Sequence, residues 1–308
     1  MNPTKALYVD WSMPRKFRGS RSLSKKPWEI ALIIRTTYFS KEVNGLSPVL
    51  YCDSEIYEYY KNIGLDSCFD EVHPILPTNP NFNPSVFWSA GKFLAIREMS
   101  EPFLMIDLDA EVRFPIDFSD CDVFCAHAEE INDNDLIYYP HPTYLGKNYM
   151  VDKYGPTWNN LAYNTCLLYF KDLEVAKRYA EEALKFIETI PSIDPAFESG
   201  YILLAEQRFL HRMCEEENLK VRTLISGVYK TEDPLRKLPS HFEDSDVEDI
   251  GKMGFLHVWG FKNKLNSREE SEHELFGNLI SSRLNLKDKI VECVKNSRIL
   301  YSGETIIS

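Results

Sequence analysis

Long apolar runs are missing from this chain of 308 residues: no stretch approaches the roughly 18 uncharged apolar positions that cross a bilayer. Its first thirty residues scatter Asp10, Arg15, Lys16, Arg18, Arg21, Lys25 and Lys26 among few apolar positions. Neither a signal peptide nor an integral membrane anchor is therefore expected. Positive charge is in deficit, with 35 Lys and Arg against 47 Asp and Glu, a net −12. That sign opposes a broad electrostatic grip on nucleic acid or anionic lipid, so neither is expected as the main partner. Cys-x-x-Cys pairs are also absent: the seven cysteines are odd in number, scattered and mostly set in apolar runs. They read as reduced thiols serving as small core residues in a cytoplasmic protein, and Cys121 and Cys125, with His127 nearby, lack the spacing of a structural zinc site.

What is present is a core. With 44% hydrophobic and 13% aromatic residues, the chain can bury a sizeable interior, which excludes global disorder, collagen and a coiled-coil rod. No internal repeat or low-complexity linker divides it. Residues Ala6 to Trp11 read as a strand, Trp28 to Phe39 as a buried helix, Pro48 to Cys52 as a strand, Ser54 to Asn62 as a helix capped by Ser54, and Glu71 to Leu76 as a strand. The face of Val86, Ala90, Phe93 and Leu94 predicts a helix over Ser85 to Met99, stopped by Pro102. Phe103 to Ile106 is apolar without alternation, as in a strand covered on both faces of a parallel sheet. Further strands are expected over Val123 to Ala128, Cys166 to Phe170, Val221 to Ile225 and Gly254 to Val258, with helices over Leu173 to Ile190 and Tyr201 to Glu217. Leu275, Leu279, Ile280 and Leu284 give the last segment a helical register. Alternating strands and helices through residue 128, followed by a mixed second half, indicate an α/β sandwich elaborated at its C-terminal side.

Four Asp-x-Asp triplets occur: Asp107/Asp109, Asp120/Asp122, Asp133/Asp135 and Asp244/Asp246. The first alone follows directly on a fully apolar strand, and open α/β sheets bind ligands outside the carboxyl ends of their strands. Two carboxylates there repel each other and lose hydration unless a cation holds them. Mg²⁺ or Mn²⁺, completing its shell with phosphate oxygens of a substrate, suits such hard oxygen ligands. The alternative is that both aspartates cap amides of a turn. The acidic stretches 129–135 and 243–249 lack the glycine and terminal glutamate of an EF-hand loop and read as solvated loops.

The segment FLMIDLDAEV (Phe103 to Val112), preceded by SVFWSAGKFLAIREM, resembles the nucleotide-sugar region of GT-A glycosyltransferases with their metal-binding DxD. YNTCLLYFKD (Tyr163 to Asp172) is similar to the NxGxLLxN signature of that family. AEQRFLHRM (Ala205 to Met213) resembles the DQ-bearing helix of the glycogenin and lipopolysaccharide galactosyltransferase group, and HVWGFK (His257 to Lys262) resembles its C-terminal His-x-x-Gly-x-x-Lys. Thr165-Cys166 stands where small residues are expected, Glu206 where an Asp is expected, and Lys262 one residue nearer to Gly260.

The resemblance implies a GT-A-like three-layer α/β/α sandwich with a mostly parallel central sheet, over residues 1–265, and a helical C-terminal extension over 266–308. It implies a metal-dependent glycosyltransferase of hexosyltransferase type that moves a sugar from a nucleotide-diphosphate sugar to a hydroxyl of a carbohydrate or other acceptor. Asp107, Asp109 and His257 would hold the metal, Mn²⁺ given the mixed oxygen and nitrogen shell, or Mg²⁺. Asp107 would also meet the nucleotide, and Lys262 would neutralise the departing diphosphate.

Ser89 and Lys92, three apart on one helical face, would reach the nucleotide or sugar. Asn164, Glu206 and Gln207 would bond sugar hydroxyls and support the transition state, or Glu206 and Gln207 would simply be a solvated helix face. Tyr8, Asp10 and Trp11 would flank the base, with core packing the other reading for Tyr8. The basic stretch Arg15 to Lys26 would close on the diphosphate, receive an anionic acceptor, or stay a solvated loop. Two other functions compete: a haloacid-dehalogenase-like phosphohydrolase with Asp107 as nucleophile, and a non-catalytic nucleotide-sugar-binding module. Donor sugar, base, acceptor and stereochemistry are left open.

Overall fold

The computed structural model describes residues 2–20, 23–131, 139–146, 148–190, 192–230, 254–258, 276–277, 279–280 and 284–302. Strand β1 (Lys5–Asp10) is followed by the short helix α1 (Met13–Phe17), helix α2 (Pro27–Glu42), β2 (Ser47–Cys52), helix α3 (Ser54–Ile63) and β3 (Glu71–His73). Helix α4 (Ala90–Glu98), β4 (Phe103–Ile106), β5 (Ala110–Val112) and β6 (Val123–Glu130) come next. The second half contributes α5 (Tyr149–Tyr154), β7 (Leu161–Phe170), α6 (Leu173–Thr189), α7 (Glu198–Leu203), α8 (Phe209–Glu216), β8 (Val221–Thr223), β9 (Val228–Lys230), β10 (Phe255–His257) and α9 (Lys287–Ser302).

The main sheet runs β3-β2-β1-β4-β7-β6-β8, with β9 also on β6, and a separate ribbon pairs β10 with β5. Every pairing in the sheet is parallel except the two made by β7. The expected mostly parallel three-layer α/β/α sandwich is what forms. Pleating explains the layers, because successive side chains of a strand point to opposite faces. Leu104 and Ile106 of β4 join one core with α2, α3 and α9, whereas Phe103 and Met105 join another with α4 and α6. Both faces being covered is why FLMI shows no alternation.

Several boundaries differ from the sequence expectation for identifiable reasons. Helix α3 is capped by Asp53 and not by Ser54: the Asp53 carboxylate accepts from the amides of Glu55 (3.0 Å) and Ile56 (3.1 Å). The helix expected from Ser85 begins only at Ala90, because turns occupy the residues before it. The third strand ends at His73, well short of Leu76. β7 is longer than expected and starts at Leu161, since its first half pairs with the long β6. Leu275 falls outside the described residues, as does 243–249.

Gly64 closes α3 at φ 78°, in the left-handed region. Gly64→Ala is expected to cost about 1 kcal/mol in urea unfolding, since a Cβ disfavours that conformation. A cost indistinguishable from zero would refute the cap as the reason for this glycine.

Candidate active site

The central parallel strands β1 and β4 end on one side of the sheet, and the antiparallel β7 enters from that side with its first half. A cleft of about 380 Å³ opens there, lined by Asp10 and Trp11 from the end of β1, Asp107 to Asp109 after β4, and Asn164 to Cys166 from β7. Ser89 and Lys92 of the α4 region, Leu203, Glu206 and Gln207, and His257 complete it, with Arg15, Lys25, Trp28 and Glu29 on the side of β1.

Asp107 and Asp109 sit on a tight turn. The Asp107 amide donates to the Cys166 carbonyl (2.8 Å), and the Ala110 amide donates back to the Asp107 carbonyl (2.9 Å). The chain then becomes β5, against which β10 runs antiparallel with His257 opposite Ala110. The Val258 amide donates to the Asp109 carbonyl (3.0 Å), which fixes the register. His257 Nε2 lies 3.9 Å from Asp109 Oδ1. One ligand atom from each of Asp107, Asp109 and His257 falls within 4.8 Å of the others. Two carboxylate oxygens and an imidazole nitrogen are a donor set that divalent cations accept.

Lys92 is the local counter-charge. Its ammonium lies 2.7 Å from Asp107 Oδ1 and 2.7 Å from Glu206 Oε1. Burial pushes the Asp107 carboxyl up to about 6; Lys92 opposes this, while the charges of Asp109 and Glu206 add to it. Burial acts against Glu206 as well, but Lys92 and the hydroxyls of Ser89 (2.6 Å) and Thr165 (2.5 Å) outweigh it and hold that carboxyl below its ordinary value.

Glu206 and Gln207 are 4% and 7% exposed, so the solvated-face reading of this pair is wrong. The reason is local. The helix expected over Tyr201 to Glu217 is interrupted by a π-turn at Leu204–Arg208, between α7 and α8. Such turns add a residue to the helix circumference and are frequent at functional sites. Here two consecutive polar residues both line the cleft. Asn164 also lines it, its Oδ1 accepting from the Cys166 amide (3.1 Å).

Asp10 and Trp11 are at the cleft, but Tyr8 is not, which corrects the expectation of a nucleotide contact from that ring. Tyr8 lies one pleat deeper, under α2, with its hydroxyl 2.6 Å from Ser40 Oγ and 3.1 Å from the Thr36 carbonyl. Asp10 is committed to Lys25 (2.7 Å), Arg15 (3.1 Å) and the Tyr60 hydroxyl (2.7 Å). Despite its burial, these cations hold its carboxyl below the ordinary value. The basic stretch is thus not all solvated loop, since Arg15 and Lys25 enter the cleft wall. Sequence reasoning also passed over Trp28, Glu29 and Trp88, and only their nearness to candidate positions could have suggested them. Lys262 falls outside the described residues.

No curated protein matches the chain in sequence. Among solved structures, it is similar to the galactosyltransferase LgtC in complex with donor and acceptor sugar analogues, at 12% identity and TM-score 0.34 over 92% of this chain and 99% of that chain. It is also similar to the glycosyltransferase GlyE of Streptococcus pneumoniae (8% identity, TM-score 0.42, 96% of this chain and 64% of that chain). A third likeness is to mouse xyloside xylosyltransferase 1 (9%, TM-score 0.31, 72% and 78%). One family profile, described as a family of unknown function (DUF6734), matches residues 49–280, a span that holds Asp107, Asp109 and His257. The chain belongs to that family.

Proposed function

We propose that the protein is a metal-dependent glycosyltransferase that moves a sugar from a nucleotide-diphosphate sugar to a hydroxyl of a carbohydrate or other acceptor. The observation that carries this reading is the convergence of Asp107, Asp109 and His257 in a cleft whose wall also offers the ammonium of Lys92, the hydroxyls of Ser89 and Thr165 and the amides of Asn164 and Gln207. Bound there, a divalent cation, Mn²⁺ or Mg²⁺, would supply the charge that offsets the leaving diphosphate.

The cleft's own charges support the need for it. Five carboxylates (Asp10, Glu29, Asp107, Asp109 and Glu206) face three cations (Arg15, Lys25 and Lys92) among the described residues. A diphosphate meets repulsion there until a dication is added. Lys92 has three N–H donors, of which Asp107 and Glu206 take two, leaving one for a phosphate or sugar oxygen. Glu206, Ser89 and Thr165 hold that lysine in place. Asn164 and Gln207 offer amides to the sugar, while Asp10, Trp11, Arg15 and Lys25 form the side on which the nucleoside would rest. Lys262 is proposed as a further diphosphate contact. Buried thiols support a cytoplasmic setting, and no described helix is long and apolar enough to cross a membrane.

Thermal denaturation with UDP or GDP, with and without Mn²⁺, tests the reading. At a hundredfold excess over Kd, binding adds about 2.7 kcal/mol, a rise of roughly 5 °C in Tm. Asp109→Asn should stay folded and lose the Mn²⁺-linked rise. Nucleotide stabilisation that is indifferent to Mn²⁺, or that survives in Asp109→Asn, would sink the proposal.

A further inference from the structure

Behind Gln207 a line of polar side chains runs from the cleft into the sheet. The Tyr139 hydroxyl lies 2.6 Å from the Oε1 end of the Gln207 amide and 2.9 Å from Glu129 Oε2. Glu129 Oε1 lies 2.7 Å from Nε2 of His127, which β6 buries next to a bulge. Tyr139 is itself only 7% exposed. A phenol carries a single hydrogen, and a carboxylate only accepts. The hydrogen therefore goes to Glu129, the charged and stronger acceptor, which leaves the Tyr139 oxygen facing Gln207 as an acceptor. Only an NH₂ group can answer an acceptor, and the two ends of a side-chain amide are told apart by their partners. The Gln207 amide is accordingly turned with its nitrogen on Tyr139 and its carbonyl oxygen towards the cleft.

We infer that Tyr139, backed by Glu129, is a positioning residue that presents the Gln207 carbonyl oxygen to the sugar being transferred. The sugar's presence rests on the glycosyltransferase reading; the amide orientation does not. Hydrogen bonds in a chain polarise one another, so the charge of Glu129 enriches the Gln207 oxygen in electrons. The cleft gains a neutral acceptor without a further carboxylate beside Asp107, Asp109 and Glu206. An oxygen there takes a hydrogen bond from a sugar hydroxyl and faces positive charge growing on the sugar ring; an NH₂ would do neither.

Two measurements decide the matter. The Gln207 side-chain amide protons are identified in a ¹H–¹⁵N correlation spectrum by their loss in Gln207→Ala. In the wild type one of them exchanges slowly with water, and Tyr139→Phe, which keeps the ring and removes the oxygen, makes it exchange fast. Identical exchange in the two proteins overturns the orientation. Next, Kd values for UDP-glucose, UDP-galactose and GDP-mannose are compared in Mn²⁺ with those of UDP and GDP. Tyr139→Phe should weaken at least one sugar nucleotide about tenfold and leave the diphosphates unchanged; Gln207→Ala should do the same, and the double variant no more. Additive losses, or a Tyr139→Phe protein that binds every sugar nucleotide as the wild type does, overturn the role. Should neither diphosphate bind in Mn²⁺, the glycosyltransferase reading fails and the role with it, while the spectrum still decides the orientation.

Discussion

Glu111→Ala is expected to destabilise the protein by about 3–5 kcal/mol. The side chains of Glu111 and Arg35 are both 0% exposed. Arg35 Nε and Nη2 each donate to the carboxylate at 2.8 Å, and Nη1 donates to the Leu279 carbonyl at 2.8 Å. Arg113 Nε donates to the same carboxylate. Alanine at 111 thus takes the carboxylate away from two guanidiniums held in the interior. Arg35→Ala should cost less, because Arg113 stays on Glu111. Urea denaturation of both variants checks this order, and a loss below about 1 kcal/mol for Glu111→Ala, the scale of an exposed pair, would contradict it. Glu111 is the middle residue of β5 and lies opposite Leu256 of β10. The variant should therefore also bind Mn²⁺ more weakly, although Glu111 is not one of the three candidate metal ligands.

Asp107→Asn is expected to act in the opposite sense and stabilise the metal-free protein above pH 6 by roughly 2–3 kcal/mol. Burial, with the charges of Asp109 and Glu206, holds the Asp107 carboxyl up at about 6 against an ordinary 3.8, even with Lys92 beside it. Between those two values the folded protein keeps a proton that the unfolded chain releases. Stability therefore falls as pH rises through the window and stays low above it. Asparagine carries no charge and keeps an oxygen for Lys92. In EDTA, the urea midpoints of the two proteins should coincide near pH 4 and separate above pH 6. In Mn²⁺ the order should reverse, because only the wild type gains from the ion. A constant difference between them from pH 4 to 8 would show that Asp107 carries no such penalty.

Residues close in sequence were legible where one physical cause acts. The unbroken apolar run Phe103 to Ile106, followed at once by two aspartates, located both the middle of the sheet and the heart of the cleft. Ser89 and Lys92 were placed on one helical face, and they meet Glu206 there. What could not be read was long-range or set by local irregularity. β5 is three residues long, with a glutamate at its centre, and nothing local to it announces a pairing with residues near 256. The π-turn that brings Glu206 and Gln207 into the cleft leaves no periodic trace, since an added residue simply shifts the helical register. Tyr8 was misplaced because a strand pattern gives the face of a side chain but not its depth beneath the covering helix. Lys25 looked like one more charge of a basic loop, and its burial against Asp10 depends on where α2 lies.

The β5–β10 ribbon also sets a timetable. During synthesis at about 5–20 residues per second, the two aspartates leave the ribosome roughly 7 to 30 seconds before His257. In that interval the candidate site would offer an ion only the carboxylate oxygens of Asp107 and Asp109, which any hard dication accepts. The His257 nitrogen, which in the proposed site would favour a transition metal, arrives when β10 zips onto β5. On the proposed metal-site reading, discrimination between ions would thus be conferred late in folding, and a mistaken early occupant would have to compete with the correct one as the ribbon closes.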